Sequence, residues 1–473
     1  MNPVPDRRWA LAAWAYGLLV AAGMAYYLVD VPIQLSDSFG NIIKASDGTL
    51  GSLVYNEFFQ RGYLRPFLWG HLRVVLDVAG GDLTAWFRWW HAGQLLALVV
   101  MYLALFRPRT ATDAAVTPIG LAMLVGLHTF HGTVREAFPI NTFMTILLCC
   151  FGAMLVVEGR WRWWKDLLAL VLFVFATLTV ESGLLVWVVL AAAFLAGARG
   201  VSKPAQALLL GLFVGYFYLR FSALEVGAPG LIERSSGFGF GSKDPEELIA
   251  LFGGNPLGFY AYNVVTSALS VLFSEPRGGV WDLTRDVVAG EVRPYGVVNL
   301  VASTLATAAI AAFAWTRRRV WLARRFEPDD RLVFVFIGVL AANAVISYPY
   351  TKDVVMSPAG IFFALAAAVS LRQLAGSLPA LGTRGVVLAA CCVALLSGTW
   401  AVRAVGAHLG LRTAAVKMRN EWAYVDAWMA GAGQPNWDDR ARTLRDRLQH
   451  DAILSRPART FVVGDWTTWF DHE

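Results

Sequence analysis

Long apolar runs separated by short basic stretches dominate the chain. A spanning helix needs about 20 mostly apolar residues, or about 17 at the short end. By that measure the pattern predicts eleven spans, over residues 9–29, 89–106, 114–131, 140–157, 166–180, 183–197, 204–221, 296–315, 332–349, 355–371 and 385–403. The stretch 166–197 reads either as one long tilted helix or as two short helices turning at Glu181-Ser182-Gly183. The first run follows Arg7-Arg8 like a signal peptide, but it is too long and lacks a small-x-small cleavage site, so it reads as a retained helix. Two long segments, 30–88 and 222–295, and a tail from 404 carry Gly, Pro and charge instead. The expected architecture is an all-α polytopic membrane protein. Its transmembrane domain covers 1–403, including both long segments with external loop helices, and a small cap covers 404–473. No internal repeat and no low-complexity segment appears.

Composition agrees with that pattern. Apolar residues make up 57% and charged residues 16%, with a mean hydropathy of +0.52. Soluble domains run at about 45–50% apolar and about 25% charged, so an all-soluble enzyme and a disordered chain are both excluded. The net charge of +6 could suggest nucleic acid, but the placement of the basic residues argues for topology instead. Short loops flanking the spans carry Arg7, Arg8, Arg107, Arg109, Arg160, Arg162, Lys165, Arg199 and Lys203, then the run from Arg317 to Arg331, then Arg372 and Arg384. Basic residues in short loops stay in the cytoplasm. The N-terminus is therefore expected inside and the two long segments and the tail outside, in a plasma membrane of bacterial type, with no nucleic-acid partner. The tail holds 9 acidic and 9 basic residues and the Trp-rich stretches Pro435-Asn436-Trp437 and Trp466-Thr467-Thr468-Trp469. It therefore reads as a folded cap. Cys149-Cys150 and Cys391-Cys392 are adjacent pairs inside apolar runs and read as small hydrophobes, not as a disulfide framework.

In a chain with so few charges, ionisable residues near a membrane face are functional candidates. Asp37 lies in Ser36-Asp37-Ser38-Phe39 soon after the first helix. Partial desolvation there suits a carboxylate to work as a base, and capping a helix is the equally weighted alternative. Arg65 in Arg65-Pro66 can hold an anion through its fork of donors, or it can snorkel to the headgroups. His91 follows Trp89-Trp90. The short second external loop, His128 to Pro139, holds His131, Arg135 and Glu136. There an ion pair shaping a polar pocket outweighs a zinc site, because no third ligand is defined. Glu181, Arg220 and Lys352-Asp353 fall at the same expected face, which then combines carboxylates and cations in one cavity at the membrane surface.

The order of these motifs resembles the GT-C superfamily of polytopic glycosyltransferases, most of all its protein O-mannosyltransferase-like branch. The similarity covers about 1–370. It consists of an acidic motif after the first helix (Ser36-Asp37-Ser38-Phe39), an Arg-Pro dipeptide (Arg65-Pro66), and an aromatic-His pair before the second span (Trp90-His91). A His-containing second loop follows, His128 through Glu136, without the proline usual there and with the Glu displaced. Val180-Glu181 stands where relatives carry Lys-Glu, Tyr216 to Arg220 matches a Tyr-x-x-Leu-Arg-like span end, and Tyr350-Thr351-Lys352-Asp353 resembles the late loop.

That resemblance implies transfer of a sugar from a polyprenyl-phosphate donor to an acceptor hydroxyl on a glycan, lipid or protein at the external face. Asp37 would be the general base. Arg65, Arg220 and Lys352 would hold the leaving phosphate, and His91, His131, Arg135, Glu136 and Glu181 would shape the sugar and acceptor pocket. Some relatives use a divalent metal, Mg or Mn; here only Asp37 and Glu136 could serve it, and no clear acidic metal motif is present. An O-antigen polymerase or ligase, and a polytopic transporter or scaffold, are the alternatives. The first would place its chemistry in one large late external loop, whereas here the early loop is at least as informative. The second would show inverted repeats, and no such symmetry appears, although 166–197 leaves room for a broken element.

Overall fold

The computed structural model describes residues 6–29, 31, 37–59, 64–79, 83–135, 141–223, 235–237, 240–273, 281–377, 382–430 and 439–454. Apart from a short antiparallel pair of strands, β1 Ser235–Gly237 and β2 Phe240–Lys243, the described chain is helical. The helices are α1 Arg7–Leu28, α2 Asp37–Asp47, α3 Leu50–Glu57, α4 Pro66–Ala79, α5 Leu83–Phe106, α6 Ala111–Gly126 and α7 His128–Arg135. Next come α8 Asn141–Val157, α9 Trp163–Thr177, α10 Leu185–Leu195, α11 Lys203–Tyr218, α12 Pro245–Leu251, α13 Leu257–Phe273 and α14 Trp281–Ala289. The last are α15 Pro294–Leu322, α16 Pro328–Ile346, α17 Ser357–Ser377, α18 Gly382–Ala430 and α19 Asp439–Leu454.

Among the described residues, six helices are long and apolar enough to cross a membrane, or seven if the bent pair α6–α7 counts as one. That is the set a multi-pass membrane protein requires. Each of the eleven runs expected from sequence coincides with a helix, but several, such as Thr142–Val157 and Glu181–Leu195, are shorter apolar helices. The run 114–131 is broken: α6 stops at Gly126, Leu127 is extended, and the chain bends by 59° into α7. The stretch 166–197 resolves into two helices, α9 and α10, joined by a 3-10 turn over Glu181–Leu184. One apolar helix, α13, lies inside the segment 222–295 read from sequence as external. Its Asn263, Thr266, Ser267 and Ser270 are buried, and Asn263 Nδ2 donates to the Tyr348 carbonyl at 2.8 Å. Those polar positions interrupt the apolar run and hide the helix from a hydropathy reading.

The bundle has one large apolar core, with α17 buried almost throughout. A second, smaller core is built by α2, α3 and α4 of the first long segment together with α19 from the tail; Ile42, Leu68, Trp69, Leu72, Phe87, Leu444 and Leu448 meet there. Arg73 on α4 closes the end of α2, donating to the carbonyls of Ser46 at 3.2 Å and Gly48 at 2.9 Å while Asp77 holds its other nitrogen at 2.7 Å. The expected domain boundary at 403/404 falls inside α18, which runs on without a break to Ala430.

Contacts separate two ends of the bundle. At one, Arg372 donates to the Phe106 carbonyl and pairs with Asp113 and Asp329. There too Arg317 forks onto buried Asp330 at 2.8 and 2.7 Å, and Arg107 and Arg331 share Glu158 at 3.3 Å each. At the other end lie the loop helices α2–α4, the turn at Glu181 and the last turn of α11.

Candidate functional site

The site centre is Glu181. The chain reaches it because α9 ends at Thr177, Val180 is extended, and the 3-10 turn folds straight back onto α9. Gly183 makes that return possible. A Cβ there would stand 2.1 Å from the Ala176 carbonyl carbon, so only hydrogen fits. Residue 65 is brought alongside by the backbone, since Phe67 N donates to the Leu178 carbonyl at 3.0 Å and pins the start of α4 to the end of α9. The third partner comes from α11, whose final turn widens into a π turn over Leu219–Ala223. Such turns are rare and recur at functional sites.

These three elements bring Arg65, Glu181 and Arg220 together. Arg65 Nη2 meets Glu181 Oε2 at 2.7 Å and its Nε reaches Oε1 at 3.3 Å, a two-pronged contact between residues 116 apart in the chain. Arg220 Nη1 lies 3.1 Å from the same Oε1 and donates to the Tyr216 hydroxyl at 3.0 Å. The side chains of Glu181 and Arg220 are only 18% and 5% exposed. Two guanidinium groups therefore converge on one carboxylate in a poorly solvated place, where charge-assisted hydrogen bonds are strong.

An aromatic ladder climbs α11 towards this trio. Trp187 stacks near Phe213 with centroids 4.5 Å apart, Phe213 near Phe217 at 5.1 Å, and Phe217 over Phe221 at 5.9 Å. The Arg220 guanidinium sits 5.5 Å from the Phe221 ring. Phe217 and Phe221 are 39% and 38% exposed, so in a membrane the ladder offers apolar surface to lipid directly below the cations.

The remaining expected residues distribute as follows. Lys352 is exposed, 5.2 Å from the Tyr350 ring, in a second group where Asp353 lies 3.7 Å from His128. That group is rigid: Asn343 donates to the Val355 carbonyl and accepts from the Ala359 amide, and Gly132 lets α7 approach Val354 closely. His91 is fully buried, with Nε2 2.7 Å from the Thr133 carbonyl, so it joins α5 to α7 inside the bundle. Asp37 is the first residue of α2, while its side chain and those of His131 and Arg135, and the whole of Glu136, lie outside the described residues. Among the described residues no group of three or more His, Cys, Asp or Glu could hold a metal ion.

Sequence reasoning passed over Arg88 and gave no role of their own to Tyr216 and Gly183. Arg88 had a readable signal: with His91 and Gln94 it recurs every three residues, which puts all three on one face of a helix. Compared with known proteins, the chain matches no family model, no curated protein and no solved structure.

Proposed function

We propose that this chain is an integral-membrane glycosyltransferase, moving a sugar from a polyprenyl-phosphate donor to an acceptor hydroxyl, with Asp37 as general base. The observation that carries the reading is the convergence of Arg65 and Arg220 on Glu181 at the head of a lipid-facing aromatic ladder. A lipid phosphate has the matching shape, with an anionic head for the guanidinium fork and a long apolar tail for Phe213, Phe217 and Phe221. When the glycosidic bond to phosphate breaks, negative charge grows on the phosphate oxygen. Preorganised cations there lower the barrier because they need not reorient. Glu181 holds both guanidinium groups in place, Lys352 adds a positive charge, His91 fixes α7 through the Thr133 carbonyl, and His131, Arg135 and Glu136 shape the acceptor side.

In this reading the bundle has about eleven spans and the cytoplasmic N-terminus of the positive-inside rule. The Arg65 end and the C-terminal tail then face outward. The test of the base is direct. In folded protein supplied with a polyprenyl-phosphate sugar, Asp37→Asn should lower the transfer rate by about 10²–10⁴; transfer at the wild-type rate would remove Asp37 from that role.

A further inference from the structure

Buried polar groups on α5 form a line that the trio does not use. Arg88, His91 and Gln94 are all buried, and each reaches a different part of the chain. Arg88 Nε donates to the Val31 carbonyl, His91 Nε2 meets the Thr133 carbonyl at 2.7 Å, and Gln94 Nε2 donates to Thr145 Oγ1 at 2.9 Å. Val31 stands between α1 and the start of α2 at Asp37, and Thr133 stands two residues before Arg135 on α7. One face of one helix therefore fixes the backbone leading into both acidic stretches, although these are about a hundred residues apart in sequence.

A charged side chain with no exposure is an expensive choice for a fastening that a neutral amide could make. Its worth lies in geometry. The guanidinium is planar and stiff, so it holds a carbonyl in a defined direction.

We infer that Arg88 is a positioning residue, a buried clamp that holds Val31 just past the end of α1 and so helps to set where α2, which begins at the proposed base Asp37, starts. The inference rests on the proposed role of Asp37. His91, one turn along, does the same for α7, so α5 acts as the common ruler for the two segments. Arg88 itself touches no reacting atom.

Hydrogen–deuterium exchange on the full chain in lipid nanodiscs tests this without any knowledge of the sugar. Arg88→Gln removes charge and fork; Arg88→Lys keeps the charge and an ammonium donor but not the planar fork. Amides within 31–41 should exchange about tenfold faster in Arg88→Gln, and Arg88→Lys should recover much of that protection, because opening is local. Exchange in α9, α16 and α17 should stay as in wild type. Binding of undecaprenyl phosphate, used as a sugar-free probe, should remain within about twofold, since the cations that would hold it are untouched. If Arg88→Gln does not fold, Arg88→Lys against wild type still reads the smaller local loosening. Unchanged exchange at 31–41, or an equal rise across the whole bundle, would overturn the clamp. Failure of wild-type protein to bind undecaprenyl phosphate would instead count against the donor reading, with the exchange pattern still deciding the role of Arg88.

Discussion

The two ends of the bundle set arginine in different surroundings. At the Arg372 end guanidinium groups tie helices together through carboxylates: Arg317 with Asp330 and Glu327, Arg372 with Asp113 and Asp329, and Arg107 and Arg331 both with Glu158. Those pairs join α5, α6, α8, α15, α16 and α17, and they are built to stitch. At the Arg65 end two guanidinium groups share the single carboxylate of Glu181 and stand at the top of an exposed aromatic ladder. Sharing one carboxylate does not by itself separate the ends, because Arg107 and Arg331 share Glu158 too; the difference lies in the surroundings. The pairs at the Arg372 end fasten helices to one another, whereas Arg65 and Arg220 stand beside exposed rings of α11, a setting that in the proposed reading takes a lipid anion.

The sharpest way to break this comparison is Glu181→Ala. Removing one member of a buried ionic group leaves the others uncompensated, at a cost of about 3–5 kcal/mol. Thermal unfolding in detergent should show the largest loss of any single change at the Arg65 end. Next comes Arg372→Ala, which should lower stability by about 2–3 kcal/mol, as for a charged hydrogen-bond group left unmet. Its binding of undecaprenyl phosphate should equal that of wild type; a loss of binding there would erase the distinction between the ends.

Phe217→Ala sharpens the role of the ladder. Losing one aromatic contact of about 0.5–1.5 kcal/mol should weaken undecaprenyl phosphate severalfold while leaving inorganic phosphate unaffected, as read by competition.

The last expected effect concerns the first long segment. His71 on α4 packs 5.5 Å from the Trp90 ring, and burial lowers its pKa to about 4. Its ordinary value is near 6.5, so between about pH 6.5 and 4 the unfolded chain takes up a proton that the folded chain refuses. Stability therefore falls as pH drops through that window, by at most about 2 kcal/mol after allowance for partial exposure. His71→Gln should flatten that part of the stability–pH curve; an unchanged slope would show that His71 does not titrate this way.

Much of this architecture was legible in the chain. Apolar runs of membrane length located the helices, and Arg65, Glu181 and Arg220 stood out because charges are scarce in such a sequence. The partnership among them was not legible, because it depends on three local events: the Gly183 return, the clamp from Phe67 to Leu178, and the π turn after α11. None of these leaves a periodic signature. Helix α13 was hidden by its own Asn, Thr and Ser, which face inward, and 403/404 falls inside α18 because that helix continues after its apolar stretch ends. Arg88 falls at the end of the segment 30–88 read as external, although its spacing with His91 and Gln94 already puts it on an interior face.

The most direct test of the account is the affinity of undecaprenyl phosphate for the double variant Arg65→Ala/Arg220→Ala, compared with wild type in the same detergent. Two charged hydrogen-bond donors to phosphate at about 1.5–3 kcal/mol each predict a loss of about a hundredfold or more, with the folded state confirmed by thermal unfolding. A folded double variant that binds the lipid phosphate as tightly as wild type would contradict the central claim.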